Sequence, residues 1–305
     1  MGADAGLRAH LTSPVAVIVN PAAGLRGPRA GRRRVALAER VLAARHARGT
    51  VRLTEGPGHA FELARSAVAA RAALVCAWGG DGTVNEIARA VAGTGTALGI
   101  VPAGSGNGLA RELGIPWDPA RALNAALGQR ERVIDVGDAG GHLFVNICGI
   151  GLDAHVAARF NEHGGRRGLV TYARLSARAL VSYVPETYTI TPEGGPSFCV
   201  RAVIITVANS PEFGNGAIIA PGARVDDGLL DLVVMEERSR LRTIAQLPKL
   251  FQGTVDRAPG CSIRKIARAT IESERPMMYH VDGEPVSGGT SLRIRVHPGA
   301  LYVAV

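Results

Sequence analysis

Trp78-Gly79-Gly80-Asp81-Gly82-Thr83-Val84-Asn85-Glu86 separates an apolar run, Ala73 to Trp78, from a stretch carrying Val84, Ile87, Ala88 and Val91 at helical spacing. The pattern predicts a strand, a glycine turn and a helix. Glycines let backbone amides approach a ligand closely, and the new helix aims its positive end at the same spot. Phosphate suits such a place, and Asp81 in its middle can hold a cation or a proton. Two plainer readings stand beside this one. Gly-Gly-Asp-Gly also makes an ordinary turn, and Thr83 with Glu86 has the spacing of a capping box.

The pattern repeats on either side. Val15 to Val19 reads as a short buried strand ending in Asn20-Pro21-Ala22-Ala23-Gly24. A basic loop follows (Arg26, Arg29, Arg32, Arg33, Arg34), and then a helix with Val35, Ala38, Val41 and Leu42 on its apolar face. Thr50 to Thr54 is the next strand. Ala97 to Val101 is another, broken at Pro102-Ala103-Gly104-Ser105-Gly106-Asn107-Gly108 before a short helix, Leu109 to Leu113. This β-α alternation predicts an open, mainly parallel sheet with helices on both faces, in which ligands bind beyond the carboxyl ends of the strands. Three turns, 20–24, 79–83 and 102–108, would then gather at one edge.

From about residue 130 the texture changes to a run of strands interrupted by only two helical stretches. Val133–Val136 and Leu143–Ile147 flank Gly140-Gly141 as a hairpin. Further strands are expected at Tyr188–Thr191, Phe198–Val207, Leu229–Met235, Ile271–Ser273, Met278–Val281, Leu292–Val296 and Leu301–Val305. Helices are expected near Gly168–Tyr183 and Leu241–Gln252. The expectation is an α/β domain over 1–130, its residues 1–13 a loose leader, and a β-rich antiparallel sandwich over 131–305.

Composition narrows the function classes. The net charge is +9, and only Lys249 and Lys265 are lysines among the 35 basic residues. Such charge suits anionic lipid or nucleotide. Aromatics are 4% with no stacking motif, which disfavours nucleic acid. No apolar run is long enough to span a bilayer, and a signal peptide's apolar segment is lacking. The four cysteines are widely spaced, as in a reduced cytosolic protein. A P-loop lysine, a G-x-G-x-x-G opening, an H-x-x-x-H pair and a G-x-S-x-G elbow are all absent. Two carboxylates two apart in Val281-Asp282-Gly283-Glu284-Pro285, and acid clustered in Arg224-Val225-Asp226-Asp227-Gly228-Leu229, read as turns or as ion-binding groups. Gly149-Ile150-Gly151-Leu152-Asp153 reads as another tight turn before a helix.

Taken in order, Asn20-Pro21-x-x-Gly24, Gly79-Gly80-Asp81-Gly82-Thr83-x-Asn85-Glu86, Pro102-x-Gly104-Ser105-Gly106-Asn107, Gly149-x-Gly151-x-Asp153, Asp226-Asp227-Gly228-Leu229 and Asp282-Gly283-Glu284-Pro285 resemble the diacylglycerol kinase-like lipid kinases. The resemblance covers nearly the whole chain. It implies an NAD kinase/phosphofructokinase-like ATP-binding domain, a β-rich lipid-binding domain and an active site in the cleft between them. Asn20, Pro21, Ala22, Ala23, Gly24, Thr54, Gly79, Gly80, Asp81, Gly82, Thr83, Val84, Asn85, Glu86, Ser105 and Asn107 would then bind ATP and its Mg2+. Asp282 would be the general base with Glu284 beside it, although the sphingosine kinase branch gives that role to the aspartate at Asp81. A structural Mg2+ would lie on the backbone carbonyls of Arg224 and Leu229 and on Asp227, and Asp153 would face the lipid head group. Gly108 departs from the family, many bacterial members having a carboxylate there.

The resemblance implies transfer of the γ-phosphate of ATP to a lipid alcohol: diacylglycerol first, a sphingoid base or ceramide next. Such an enzyme is cytoplasmic and docks transiently on the inner face of the membrane. A homodimer is left open. The competing readings are a soluble NAD kinase, which shares Gly-Gly-Asp-Gly-Thr, and a silent nucleotide- or lipid-binding regulatory protein.

Overall fold

The computed structural model of the protein describes residues 14–24, 28–128, 130–162, 179, 183–214 and 216–305. Residues 1–13, Arg26 and nearly all of the helix expected at 168–183 lie outside that set. The chain divides into two compact units, one of residues 1–134 with 299–305 and the other of residues 135–298.

The first unit alternates strand and helix: β1 (Val15–Val19), α1 (Pro28–Ala44), β2 (Gly49–Leu53), α2 (His59–Ala69), β3 (Leu74–Gly79), α3 (Asp81–Val91), β4 (Ala97–Pro102), α4 (Gly108–Glu112) and α5 (Pro119–Ala126). Strand β1 lies between β2 and β3, and β4 follows β3, all of them parallel. Strands β1, β3 and β4 are buried along their whole length. That is why each reads as a continuous apolar run rather than an alternation. Helices α1 and α5 pack together, as do α2 and α3. Because the chain passes from β1 outward to β2 and then returns to β3, the sheet's order reverses at β1/β3, the position where open α/β sheets hold ligands.

The second unit holds most of β5 (Glu131–Ala139), β6 (His142–Phe144), β7 (Ile147–Gly151), α6 (Leu152–Glu162), β8 (Glu186–Pro192), β9 (Phe198–Ala208), β10 (Glu212–Gly214), β11 (Ala217–Ile218), β12 (Leu230–Glu236), α7 (Arg240–Gln252), β13 (Cys261–Ile266), β14 (Arg268–Ser273), β15 (Met278–Val281), β16 (Glu284–Ser287) and most of β17 (Ser291–Ala304). Its pairings are antiparallel, in the order β16-β15-β7-β9-β8-β14-β17, with β12 joined to β9 and β13. The core gathers Phe144, Ile150, Ile190, Val207, Leu232, Ile271 and Ile294 from these strands.

Three details differ from the sequence expectation. Gly149 lies inside strand β7 rather than in a turn, opposite His280 and Thr206. Residues 291–304 form one strand, not two, and its end, Val303 and Ala304, runs parallel to β4 in the first unit's sheet. Strand β13 gave no signal, because Ser262, Arg264 and Lys265 interrupt its apolar residues.

Candidate active site

Three turns of the first unit meet where β1, β3 and β4 end. The Asn20 carboxamide donates to Thr83 Oγ1 at 2.9 Å and accepts the Ala22 N–H at 2.9 Å, fixing turn 20–24 to the start of α3. Arg34 donates to the carbonyls of Asn20 and Ala23, each at 2.7 Å, and clamps that turn from α1. Burial lowers the Arg34 pKa from its ordinary value. As one arginine in a basic run, Arg34 carried no signal of this role. A Cβ on Gly104 would lie 2.7 Å from the Gly80 Cα. The two turns therefore touch glycine to glycine, and any side chain there would separate them.

Asp81 is the strut between them. Its Oδ2 accepts the Asn107 N–H and its Oδ1 the Gly108 N–H, both at 2.8 Å. Burial raises the Asp81 pKa, opposed by these amides and by the Arg111 charge. Asn107 sits in the left-handed region at φ 53°, with its side chain closed on the Gly104 backbone. Its donor and acceptor therefore serve the loop. Ser105 and Pro21 lie at the rim of the cluster, and Ser105 is exposed. Thr54 ends β2, its N–H on the Val19 carbonyl. Val84 and Asn85 are buried on α3, and Val84 belongs to the core.

Glu86 corrects the capping-box reading. Helix α3 begins after Gly80 with no side-chain cap. The Glu86 carboxylate instead accepts the N–H groups of Gly58, Ala60 and Phe61 at 2.9, 3.0 and 3.3 Å, so it caps α2.

In the second unit, Asp282 and Gly283 join β15 to β16 with φ of 48° and 87°. Consecutive left-handed residues make a type I′ hairpin, which explains Asp-Gly. The turn reading is therefore right, yet the side chain does more than turn the chain. Asp282 Oδ2 accepts the Val145 N–H at 2.8 Å, and Oδ1 accepts those of Asn146 and Ile147 at 2.9 Å. Three amides aim this carboxylate. Glu284 begins β16 and is exposed.

Asp153, near the start of α6, is buried against His280, with 2.8 Å between Oδ2 and Nε2. The two atoms lie off the line of an ideal hydrogen bond, and the contact is an ion pair when the ring is protonated. Burial works against the imidazolium; Asp153, with Asp282 and Glu284 further off, outweighs it and raises the His280 pKa. In the neutral ring Nδ1 accepts the Gly283 N–H at 3.2 Å, which leaves the proton on Nε2 toward Asp153. A Cβ on Gly149 would collide with both partners, so the pair exists because residue 149 is glycine. His280 had no motif to reveal it.

The loop expected to hold a structural magnesium is occupied differently. Asp227 Oδ1 accepts the Leu229 N–H at 3.1 Å, while Oδ2 lies 2.8 Å from Lys265 Nζ. Arg224 pairs with Asp226 at 3.2 Å. Lys265 Nζ also meets Asp231 Oδ2 at 3.0 Å. Burial raises the Asp231 pKa against the pull of Lys265. The one carboxylate assigned to Mg2+ already holds a cation, so these residues do not fit the metal. Among the described residues no group of three or more His, Cys, Asp or Glu is arranged to hold a metal ion.

Known proteins share both units. Residues 14–139 match the diacylglycerol kinase catalytic domain, and residues 146–305 match the YegS C-terminal NAD kinase beta sandwich-like domain. A probable lipid kinase YegS-like of Chromohalobacter salexigens is 33% identical over 260 residues, 83% of each chain. One from Pseudomonas aeruginosa PAO1 is 34% identical over 265 residues, again 83% of each. A diacylglycerol kinase structure from Bacillus anthracis superposes with TM-score 0.74 at 22% identity, covering 96% of each chain. A second Bacillus anthracis structure, named for the same enzyme class, gives TM-score 0.79 at 26% identity over 96% and 95% of the two chains. With a catalytic-domain match on the first unit, a sandwich-domain match on the second and a third of the aligned residues shared with YegS-like relatives, the chain belongs to the diacylglycerol kinase-like lipid kinase family.

Proposed function

We propose that this lipid kinase transfers the γ-phosphoryl group of ATP to the hydroxyl of diacylglycerol, with a sphingoid base or ceramide as the next acceptors. The observation that carries the reading is family membership across both units, joined to the three-turn cluster at the carboxyl ends of parallel strands. Phosphoryl transfer asks a protein mainly for positioning and charge neutralisation. The turns 20–24, 79–83 and 102–108 supply amides, small side chains and Asp81 for that purpose. Magnesium arriving with the nucleotide would neutralise phosphate charge, and Mg2+ commonly takes one or two carboxylates plus substrate phosphates, a role open to Asp81.

Asp282 is the proposed base. It takes the proton from the lipid hydroxyl as that oxygen bonds to the γ-phosphorus. The bond from the γ-phosphorus to the bridging oxygen breaks, and ADP leaves. A carboxylate has about four acceptor sites. Amides hold three of those on Asp282 and fix its orientation, which supports its use as a positioned base.

The test is phosphate transfer from labelled ATP, with magnesium, to a panel of lipid alcohols in mixed micelles and to NAD. Asp282→Ala is expected to lower kcat roughly 10²–10⁴-fold with ATP affinity retained. Label in NAD alone would overturn the lipid reading. ATP binding without turnover on any acceptor would make the protein a silent binder.

A further inference from the structure

We propose that the Lys265 ammonium is the resident cation of the 222–231 segment, held on the one carboxylate that the family resemblance gives to magnesium, and that the second unit folds without a divalent ion. Nζ lies 2.8 Å from Asp227 Oδ2, 3.0 Å from Asp231 Oδ2 and 3.5 Å from the Gly222 carbonyl oxygen. Three N–H donors thus face three oxygens from the turn at 222, the loop at 227 and strand β12, which is an ammonium's full complement. The placement is built by the sheet, since Lys265 on β13 is the direct register partner of Asp231 on β12.

Residue choice points the same way. Lys265 is one of only two lysines among 35 basic residues. A guanidinium is a planar fork, whereas an ammonium is a compact point charge that can sit among converging oxygens as a metal ion does. Asp231 is buried, and without Lys265 its charge would face Asp227 alone. A divalent ion on Asp227 would have to displace the ammonium or share one carboxylate with it. The rest of the segment is held by protein groups: Asp135 Oδ2 accepts the Gly228 N–H at 2.7 Å, and the Asp135 N–H meets the Val225 carbonyl at 2.6 Å.

The experiment is thermal unfolding of the full chain without nucleotide, in millimolar Mg2+ and in EDTA. Wild type is expected to give one Tm in both, within about 1 °C, a margin below the 2–4 °C that 1 kcal/mol produces in a domain this size. Lys265→Met is expected to fall by roughly 5 °C or more in EDTA and to regain part of that with Mg2+. A wild-type Tm that drops in EDTA would overturn the proposal. So would a Lys265→Met protein indifferent to its loss, or a nucleotide-free wild type that binds Mn2+ and loses it on Asp227→Asn. Should Lys265→Met fail to fold, the wild-type comparison and the Mn2+ titration decide. None of these readouts depends on kinase activity.

Discussion

Gly80 and Gly104 show what a glycine motif is for at the scale of one residue. Their α-carbons are in contact, so adding a methyl group at residue 104 must push the turn at 102–108 off the turn at 79–83. Gly104→Ala is therefore expected to weaken ATP binding by about tenfold, near 1.4 kcal/mol, measured by titration calorimetry. The motif is legible in the sequence. Its reason is not, because two positions 24 apart meet only once β3 and β4 are known to be neighbours. Gly149 repeats the lesson in the second unit. Gly149→Ala collides with the Asp153–His280 pair, and a loss of about 1–3 kcal/mol is expected from chemical denaturation. Asp282 is the opposite case, since Asp-Gly between two strand-like runs announces its turn, although not the three amides its side chain finds.

Elements explain what spacing alone misread. Thr83 and Glu86 have capping-box spacing, yet α3 and α2 pack together, and Glu86 reaches across to the α2 amides. Glu86→Ala should cost about 0.5–2 kcal/mol, with faster hydrogen exchange at Gly58, Ala60 and Phe61 as its local mark. The β5–β6 hairpin is stapled in a comparable way. Asp138 is buried and takes the Arg295 guanidinium at 2.7 and 2.9 Å and the Gly141 N–H at 2.7 Å. Burial alone would raise the Asp138 pKa; Arg295, the Gly141 amide and His297 overcome it and hold the carboxyl below its ordinary value. A depressed pKa contributes stability that is complete above about pH 4, the unfolded carboxyl's value, and lost as pH falls through the folded one. The Tm gap between wild type and Asp138→Asn should therefore be constant at neutral pH and shrink below about pH 4. A gap that widened in acid would reverse the sign.

For the whole molecule, β-α alternation announced the first unit because its buried strands are apolar almost throughout and each leads into a turn that contains glycine. The second unit was less legible. Strands such as β13 carry exposed charged residues in succession, and their partners are distant in sequence, so local pattern says little about pairing. Charge is the property that belongs to the chain as a whole. At +9 the protein should bind vesicles rich in anionic lipid and lose them as salt rises across the physiological range. Co-sedimentation indifferent to both would remove electrostatics from membrane docking. No helix among the described residues is long and apolar enough to cross a membrane.

The end of β17 has a consequence for how the protein is made. Val303 pairs with Leu98 and Ala304 with Gly99, while Gly93 donates to the Ala300 carbonyl and Val305 to that of Arg130. A ribosome releases β4 some two hundred residues before its neighbour exists. Until then the nascent first unit carries an unpaired sheet edge, the kind of surface that recruits other chains. A fragment ending at residue 130 should accordingly aggregate, and a synthetic peptide of residues 291–305 should slow that aggregation by supplying the absent strand.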